Sequence, residues 1–555
     1  MKELKLFLAL EILLISAIAL AVMVRVLNLS SQEFWYDEVV SLLISGGQKI
    51  AYRTPGDAPV LLSNYAPLLN LPSESGLKDV LVTFKQVFMG IVGGEPHPPL
   101  FYLSQHVWLR LFGNAVAQVR SLGFLLSLGA IFSAYGLGRS VLGHRGGLIL
   151  SALLATNPFY LFHSLNVRMY GPLVLWATLS GWAMLSLIAL NCDDSAIDRR
   201  KQALWNSLLV MSVAGGFLTF YFFAYWAIAL GVLVLYLDRR RWWQYGISLG
   251  LGFAVTIPWL LWGTRQQVRN ADLNRFSESA GLIGTLVRQL QDVLEVLGVQ
   301  LLSGGWATAI PDAVALLIGL IAATLLLVAV VGLWQNGDRQ LLGIAFILGI
   351  LPLLLTLGVD LATGKSTLGW GYGRSVIFML PGCLLLLAAW LERATVSWQK
   401  PVIAVLLALY LGIGVGDYTL RSRQMFHTIS AAIQEDVGLS TLVVMNSKAW
   451  GHILRLAYYV DPKTSVSLLA EHPNQFAPAL DKTLASATAY DRIFWLDPKR
   501  AVWGEPKTEV EKQQLTQAAQ DVLQSRYKLV STEILAGTMD LDQFTLSLYK
   551  RSPVK

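Results

Sequence analysis

Charge is scarce in this chain: 14% of residues are Asp, Glu, Lys or Arg, where soluble proteins carry about a quarter. Apolar residues make up 54% and the mean hydropathy is +0.53, more apolar surface than a soluble domain can hide. Cysteine is scarcer still. Cys192 and Cys383 lie at or within apolar segments and lack metal-type spacing, so neither a disulfide framework nor a zinc site is indicated. Short alternating segments, the mark of a membrane β-barrel, are also missing from the apolar part; its runs have the length of membrane helices. There is no internal repeat and no low-complexity tract. The net charge of +7 does not point to nucleic acid, because the basic residues fall in short clusters between apolar runs, where the positive-inside bias puts them.

The apolar runs predict helices at 5–27, 115–138, 146–164, 170–190, 204–222, 223–237, 244–263, 311–334, 340–358, 373–391 and 401–416, about eleven spans. The first opens with Lys2 and Lys5 and can be read as a signal peptide, but it is long enough to cross a bilayer and is taken as a retained span. Arg139 with Arg145, Arg199 to Lys201, Arg239 to Arg241, Arg339, and Arg393 with Lys400 then share one face. By the positive-inside rule that face is cytoplasmic. The amino terminus is expected inside, with 28–114, 264–310, 359–372 and 417–555 extracytoplasmic. The apolar but short segment 97–113 is expected to lie on the membrane as an amphipathic helix. The loop 264–310 mixes Arg265, Arg269, Arg275 and Arg288 with Asp272, Glu278, Asp292 and Glu295, a surface-helix pattern without a catalytic signal.

Past Tyr418 the apolar runs shorten to strand length, at 441–446, 492–497 and 544–550, around a polar helical stretch near 508–525. The expected fold is therefore an all-α polytopic membrane bundle over 1–416, with a first extracytoplasmic loop 28–114, and a small soluble extracytoplasmic α/β domain over 417–555. That domain has no Gly-rich phosphate loop, nucleophile elbow or metal cluster.

Three places carry candidate chemistry. After the first span comes FWYDEVVSLLI, which sets Asp37 and Glu38 behind Phe34, Trp35 and Tyr36. The aromatics hold the segment at headgroup depth, where a carboxylate can deprotonate an acceptor hydroxyl; equally, outer loops commonly hold acids. GGEPHPPLFYL follows at 93–103. Its glycines permit a sharp turn and Pro98 can start a helix. Glu95 and His97 there can bind a divalent metal or hydrogen-bond a phosphate, or simply belong to a Pro-rich turn. Last, NVRMYG (166–171) and GWGYGRSVIFMLP (369–381) put Arg168, Tyr170 and Arg374 at outer ends of spans. Arginine at that depth is expensive unless paired, and a phosphate ester is a natural partner for its fork; ordinary lipid phosphates would serve a snorkelling side chain as well.

Taken in order, Arg25 at the end of the first span, FWYDE, HPPLFYL, NVRMYG and GRSVIFMLP resemble the GT-C glycosyltransferases. Within that class they are most similar to glycosyltransferase family 39 and its relatives, the protein O-mannosyltransferases and the aminoarabinose transferases of lipid A. The resemblance covers roughly 1–416 and leaves the carboxyl-terminal domain undefined. It implies a polyprenyl-phosphate sugar donor and makes Asp37 the catalytic base with Glu38 in support. Where O-mannosyltransferases have an aspartate two residues before the His of the HPP block, this chain has Glu95, so a Mg or Mn requirement stays open. The resemblance also places Arg168 and Arg374 where the family often has arginines near the donor phosphate, and Tyr170, two residues after Arg168, is counted with them as a phosphate-binding candidate.

The expected activity is transfer of a hexose or pentose to an extracytoplasmic glycan, lipid or protein by inverting displacement, at the plasma or inner membrane. Phosphate is already a good leaving group, so no general acid is required, unlike glycoside hydrolysis. The rival is a polytopic transporter or flippase of lipid-linked or sugar substrates. It would want repeated halves and helices interrupted at the midplane, which the sequence does not offer.

Overall fold

The computed structural model covers the full chain and describes residues 2–192, 198–270, 282–393, 399–421, 423–436, 438–486, 490–502, 504–537 and 542–551. Asp272, Arg275 and Glu278 of the mixed-charge loop lie outside the described residues. Two compact units emerge. One comprises residues 1–29, 91–104 and 120–420, and the other 30–90, 105–119 and 421–555.

The first unit is helical. Among the described residues seven helices are long and apolar enough to cross a membrane: Ala9–Leu27, Val116–Thr156, Tyr170–Cys192, Asp312–Gln335, Arg339–Thr363, Arg374–Arg393 and Gln399–Thr419. An eighth arises if Arg239–Ala254 and Ile257–Asn270, bent by 43°, form one span. All eleven expected segments are mainly helical, and the difference in count has local causes. The 41-residue Val116–Thr156 helix holds one expected span and most of a second, broken at Gly143 with φ 80°. Phe223–Leu237 is only 15 residues long, and Arg199–Thr219 opens with three basic residues.

Lipid gives helices little hydrophobic reason to associate, so they pack through small residues that let backbones approach. Gly382 shows this: a Cβ there would stand 2.2 Å from the Leu348 carbonyl, so Arg339–Thr363 and Leu380–Arg393 touch backbone to backbone. Arg25 is a strut within this unit. Fully buried, it donates from Nε to Ser164 Oγ (3.0 Å) and from Nη1 to the carbonyls of Ala155 (2.6 Å) and Ala21 (3.1 Å). The bond to Ala155 satisfies a carbonyl in the last turn of the Val116–Thr156 helix, where water is excluded.

The second unit is built on a six-stranded sheet of order β1-β3-β2-β4-β6-β5. Its strands are β1 (Val60–Leu61), β2 (Thr441–Met445), β3 (Val466–Ala470), β4 (Arg492–Pro498), β5 (Tyr527–Ala536) and β6 (Gln543–Arg551). β2 runs parallel to β3 and β4; β1 and β6 are antiparallel to their neighbours, and β5 closes the edge against β6. Every residue of β2 is buried, as expected of a central parallel strand covered on both faces. One core packs Leu442, Val444 and Trp495 against Phe476, Leu480 and Leu523 of the flanking helices. β2, β4, β6 and the Glu509–Gln524 helix stand where the residue pattern puts them. β1 comes from the first loop, and the unit also takes in the Tyr36–Ser45 helix that carries Asp37.

Candidate active site

The GGEPHPP block folds as a braced turn. Gly94 adopts φ 117°, open only to glycine, and after the turn Pro99 starts the Leu100–Phe112 helix, accepting from Leu103 N–H at 3.0 Å. Glu95 and His97 are both buried and hydrogen-bond each other, His97 Nδ1 to Glu95 Oε1. Behind them Gln267 donates from Nε2 to two carbonyls at once, those of Glu95 (2.6 Å) and His97 (2.8 Å). Gln267 is held in turn by Tyr221, whose hydroxyl donates to Gln267 Oε1 at 2.5 Å and receives the Trp259 Nε1 hydrogen at 2.9 Å. Burial pushes the His97 imidazole below its usual range; Glu95 pulls it back, while Arg168 and Arg374 push it further down.

Around this turn gather the residues expected at the donor phosphate. Arg168 Nη2 stands 4.0 Å from Glu95 Oε1, and its Nη1 donates to the Tyr102 hydroxyl at 3.4 Å. Tyr170, fully buried, meets the His97 ring edge-on at 6.3 Å between centroids, and the guanidinium of Arg374 lies over its ring at 5.4 Å. Trp370 lies on Arg374 as well, at 4.5 Å. Arg374 is presented by an unusual backbone: Gly371, Tyr372 and Gly373 take φ 61°, 59° and 75° in succession. A left-handed tyrosine is strained and persists only where its surroundings fix it. Asp360 does that from below, accepting from Thr367 N–H and Leu368 N–H at 2.8 Å each, and Gln300 donates to the Gly373 carbonyl at 2.8 Å. Glu95, His97, Arg168, Tyr170 and Arg374 thus form one cluster in the helical unit.

Asp37 and Glu38 belong to the other unit, in the first turn of the Tyr36–Ser45 helix. The two acids are not equivalent. Glu38 is wholly buried and its Oε2 accepts from Trp35 N–H at 3.0 Å, while its own N–H donates to the Trp35 carbonyl at 3.1 Å. It closes the helix start as the acidic member of a capping box does. Asp37 is half-buried. Both carboxylates gain from the positive end of the helix dipole.

Several members of the site had no sequence signal. Gln267 sits in a loop that reads only as mixed charge. His163 is buried against Tyr170 with ring centroids 5.4 Å apart, and its Nδ1 has no hydrogen-bond partner among the described residues. Phe220 stacks on His97 at 5.4 Å and 20°. No spacing rule links these positions to HPP; they meet because elements distant in the chain pack around one turn. Among the described residues no three of His, Cys, Asp and Glu are grouped as metal ligands. Glu95 and His97 are spent on each other with Arg168 alongside, so a divalent cation would have to displace a hydrogen bond next to a fixed positive charge. The pair does not fit a metal as it stands.

Beside the cluster, the helical unit contains a mostly apolar groove of about 1090 Å³. Leu100, Phe101, Pro172 and Trp176 line it toward the Tyr170 end of the Tyr170–Cys192 helix, and it runs along the Arg199–Thr219 helix from Thr219 to Gln202, with Asn191 and Tyr245 beside that far end. Pro172 and Asn191 stand nineteen positions apart on their helix, which corresponds to about 28 Å at 1.5 Å per residue, close to the thickness of a bilayer's hydrocarbon core.

Residues 96–262 match the model of the dolichyl-phosphate-mannose-protein mannosyltransferase family. No curated protein matches the chain. Among solved structures, the chain is similar to ArnT from Cupriavidus metallidurans bound to undecaprenyl phosphate, at 12% identity over 96% of this chain and 97% of that one, with a TM-score of 0.40. It is also similar to the Archaeoglobus fulgidus oligosaccharyltransferase solved with zinc and sulfate, at 13% identity over 87% of this chain and 68% of that one, with a TM-score of 0.47. The family match begins at Pro96, beside His97, and runs through Arg168 and Tyr170, so the part of the helical unit that carries these site residues is the part similar to that family.

Proposed function

We propose that this enzyme transfers a sugar from a polyprenyl-phosphate donor to a hydroxyl-bearing acceptor on the extracytoplasmic side of the plasma or inner membrane, with inversion at the anomeric carbon. The observation that carries the reading is the buried arginine pair, Arg168 and Arg374, gathered on the Glu95–His97 turn beside a membrane-length apolar groove. Guanidinium groups held in a water-poor site suit a phosphate, and the groove suits an isoprenoid tail. The dolichyl phosphate in the name of the matching family and the undecaprenyl phosphate bound to ArnT support the same donor class.

In the displacement, the acceptor O–H gives its proton to the Asp37 carboxylate as its oxygen attacks the anomeric carbon. The bond from that carbon to the phosphate oxygen breaks with its electron pair, and polyprenyl phosphate departs against the arginine charge. Glu38 keeps the helix start that presents Asp37. No step runs through a metal. The acceptor is a glycan, lipid or protein, and the unit built on residues 421–555 stands on the same extracytoplasmic side, the amino terminus being cytoplasmic.

The test is transfer itself. Purified protein in lipid nanodiscs is incubated with radiolabelled polyprenyl-phosphate hexoses and pentoses and a membrane extract, and label is followed into acceptor. The wild type is expected to transfer label, and Asp37→Asn to lose transfer while remaining folded in the membrane. Near-normal transfer by Asp37→Asn would reject the base. Absence of transfer from every donor, with substrate uptake into sealed vesicles, would reject the enzyme reading in favour of transport.

A further inference from the structure

The segment that leads into Asp37 is gripped residue by residue within the sheet-bearing unit. Gln32 Oε1 accepts from Arg423 Nη1 at 2.7 Å. Glu33 uses both carboxylate oxygens on the start of the Met425–Gln434 helix, accepting from Phe426 N–H at 3.0 Å and His427 N–H at 2.5 Å. That helix lacks a side-chain cap of its own, so Glu33 satisfies amide groups that would otherwise be orphaned. Phe34 N–H donates to the Tyr459 hydroxyl at 2.8 Å. The Tyr36 ring lies against the Trp450–Tyr459 helix at Gly451, where a Cβ would stand 2.6 Å from the ring, and meets His452 edge-on at 5.1 Å.

Behind Glu33 is a buried charge cluster. Arg455 Nη1 bonds Asp542 Oδ1 at 2.7 Å, and its Nη2 stands 3.8 Å from Glu33 Oε2. His452 Nε2 lies 3.4 Å from the same Asp542 oxygen. Burial opposes the charge on Asp542, but Arg455 and His452 outweigh it and hold the carboxyl below its usual range. Buried ion pairs add little net stability, because desolvation offsets their attraction; their best-attested use is to fix one arrangement among several. What is fixed here is the strand of chain that ends at Asp37.

We infer that the carboxyl-terminal part of the chain is a mount for the catalytic base, with Glu33, Arg455 and Gly451 as positioning residues that set where Asp37 stands. The inference rests on Asp37 being the base proposed above. A carboxylate that must meet an acceptor hydroxyl tolerates little displacement, since a shift near 1 Å costs on the order of 100-fold in rate. The Tyr36–Ser45 helix has only ten residues, too few to hold its own place without tertiary contacts.

The test compares Glu33→Gln and Gly451→Ala in the full-length protein in nanodiscs. Gly451→Ala leaves every charge paired and favours helix, so it separates positioning from folding. Each is expected to lower kcat by on the order of 10- to 100-fold, with KM for the polyprenyl-phosphate sugar unchanged within about twofold and a single cooperative melting transition retained in both variants. Hydrogen exchange should quicken at the amides of residues 33–45 and nowhere in the sheet. Wild-type kcat in both variants would overturn the mount, as would a fall in kcat with unchanged exchange at 33–45. Failure of the base itself reads differently: Asp37→Asn would then retain transfer, whatever the exchange shows.

Discussion

The guanidinium of Arg374 lies over the ring of Tyr170, 5.4 Å from its centroid. Trp370 takes a second place on the cation, at 4.5 Å. Aromatic faces suit guanidinium, which is weakly hydrated and planar. They hold the charge in a dry site. A cation fixed in this way is ready to meet charge that develops on a departing phosphate, with little reorganisation at the moment of reaction.

Arg374→Ala is therefore expected to lower kcat by about 100- to 1,000-fold, the usual loss for one preorganised charge-stabilising group. Arg374→Lys should recover little of it, because an ammonium has neither the planar fork nor the stacking face. Steady-state transfer kinetics with a polyprenyl-phosphate sugar decide this, and a fully active lysine variant would remove Arg374 from the phosphate site.

His97 gives the folded protein an acid sensitivity with a defined sign. Burial depresses its folded pKa below the free value of 6.5. Between that free value and the depressed folded one, the unfolded chain binds a proton that the folded state refuses, so stability rises with pH across that window. The melting midpoint should fall as pH drops below about 6.5, and His97→Gln should flatten that part of the profile. Differential scanning fluorimetry from pH 8 to 5 on both proteins checks it; parallel profiles would show that His97 is not a source.

If the groove holds the isoprenoid tail, obstruction should depend on tail length. Ala214 lines it, and Ala214→Phe places a ring in the path. The expected result is a KM raised several-fold, on the order of one to two kcal/mol of lost apolar contact, for a long-chain polyprenyl-phosphate sugar, and little change for a two-isoprene analogue. Equal effects on both donors would move the tail elsewhere.

Helix packing offers a prediction independent of catalysis. A side chain at Gly382 would collide with backbone at Leu348 and Gly349, where no flexible end can yield. Gly382→Val should destabilise the bundle by about 1–3 kcal/mol or more, read as a lower melting midpoint in detergent. The outward-facing Val405→Ala, at an exposed position on the Gln399–Thr419 helix, should stay near wild type.

Much of this was legible in the chain because it depends on local pattern. Apolar runs of helix length mark the helical segments whether or not neighbours are known, and short runs past Tyr418 mark β2, β4 and β6. The HPP block announces a rigid turn, and Gly94 confirms the need for it. The number of spans was less legible, since a break such as Gly143 leaves the hydropathy of the Val116–Thr156 run continuous. Asp37 and Glu38 look alike as a dipeptide; only the backbone shows that Glu38 turns back to Trp35.

The sequence by itself determined that the chain lives in a bilayer, because scarce charge and long apolar runs leave no soluble alternative. It also determined which residue types are available for phosphate and proton transfer. Tertiary structure decided how they work together. Glu95, Arg168 and Arg374 are separated by 73 and then 206 positions in the chain, and no local rule joins them; they meet through the ends of packed helices. The same holds for Glu33 and Arg455, 422 positions apart, which meet because the segment before the Tyr36–Ser45 helix packs on the Met425–Gln434 and Trp450–Tyr459 helices, where a misplaced buried charge is expensive.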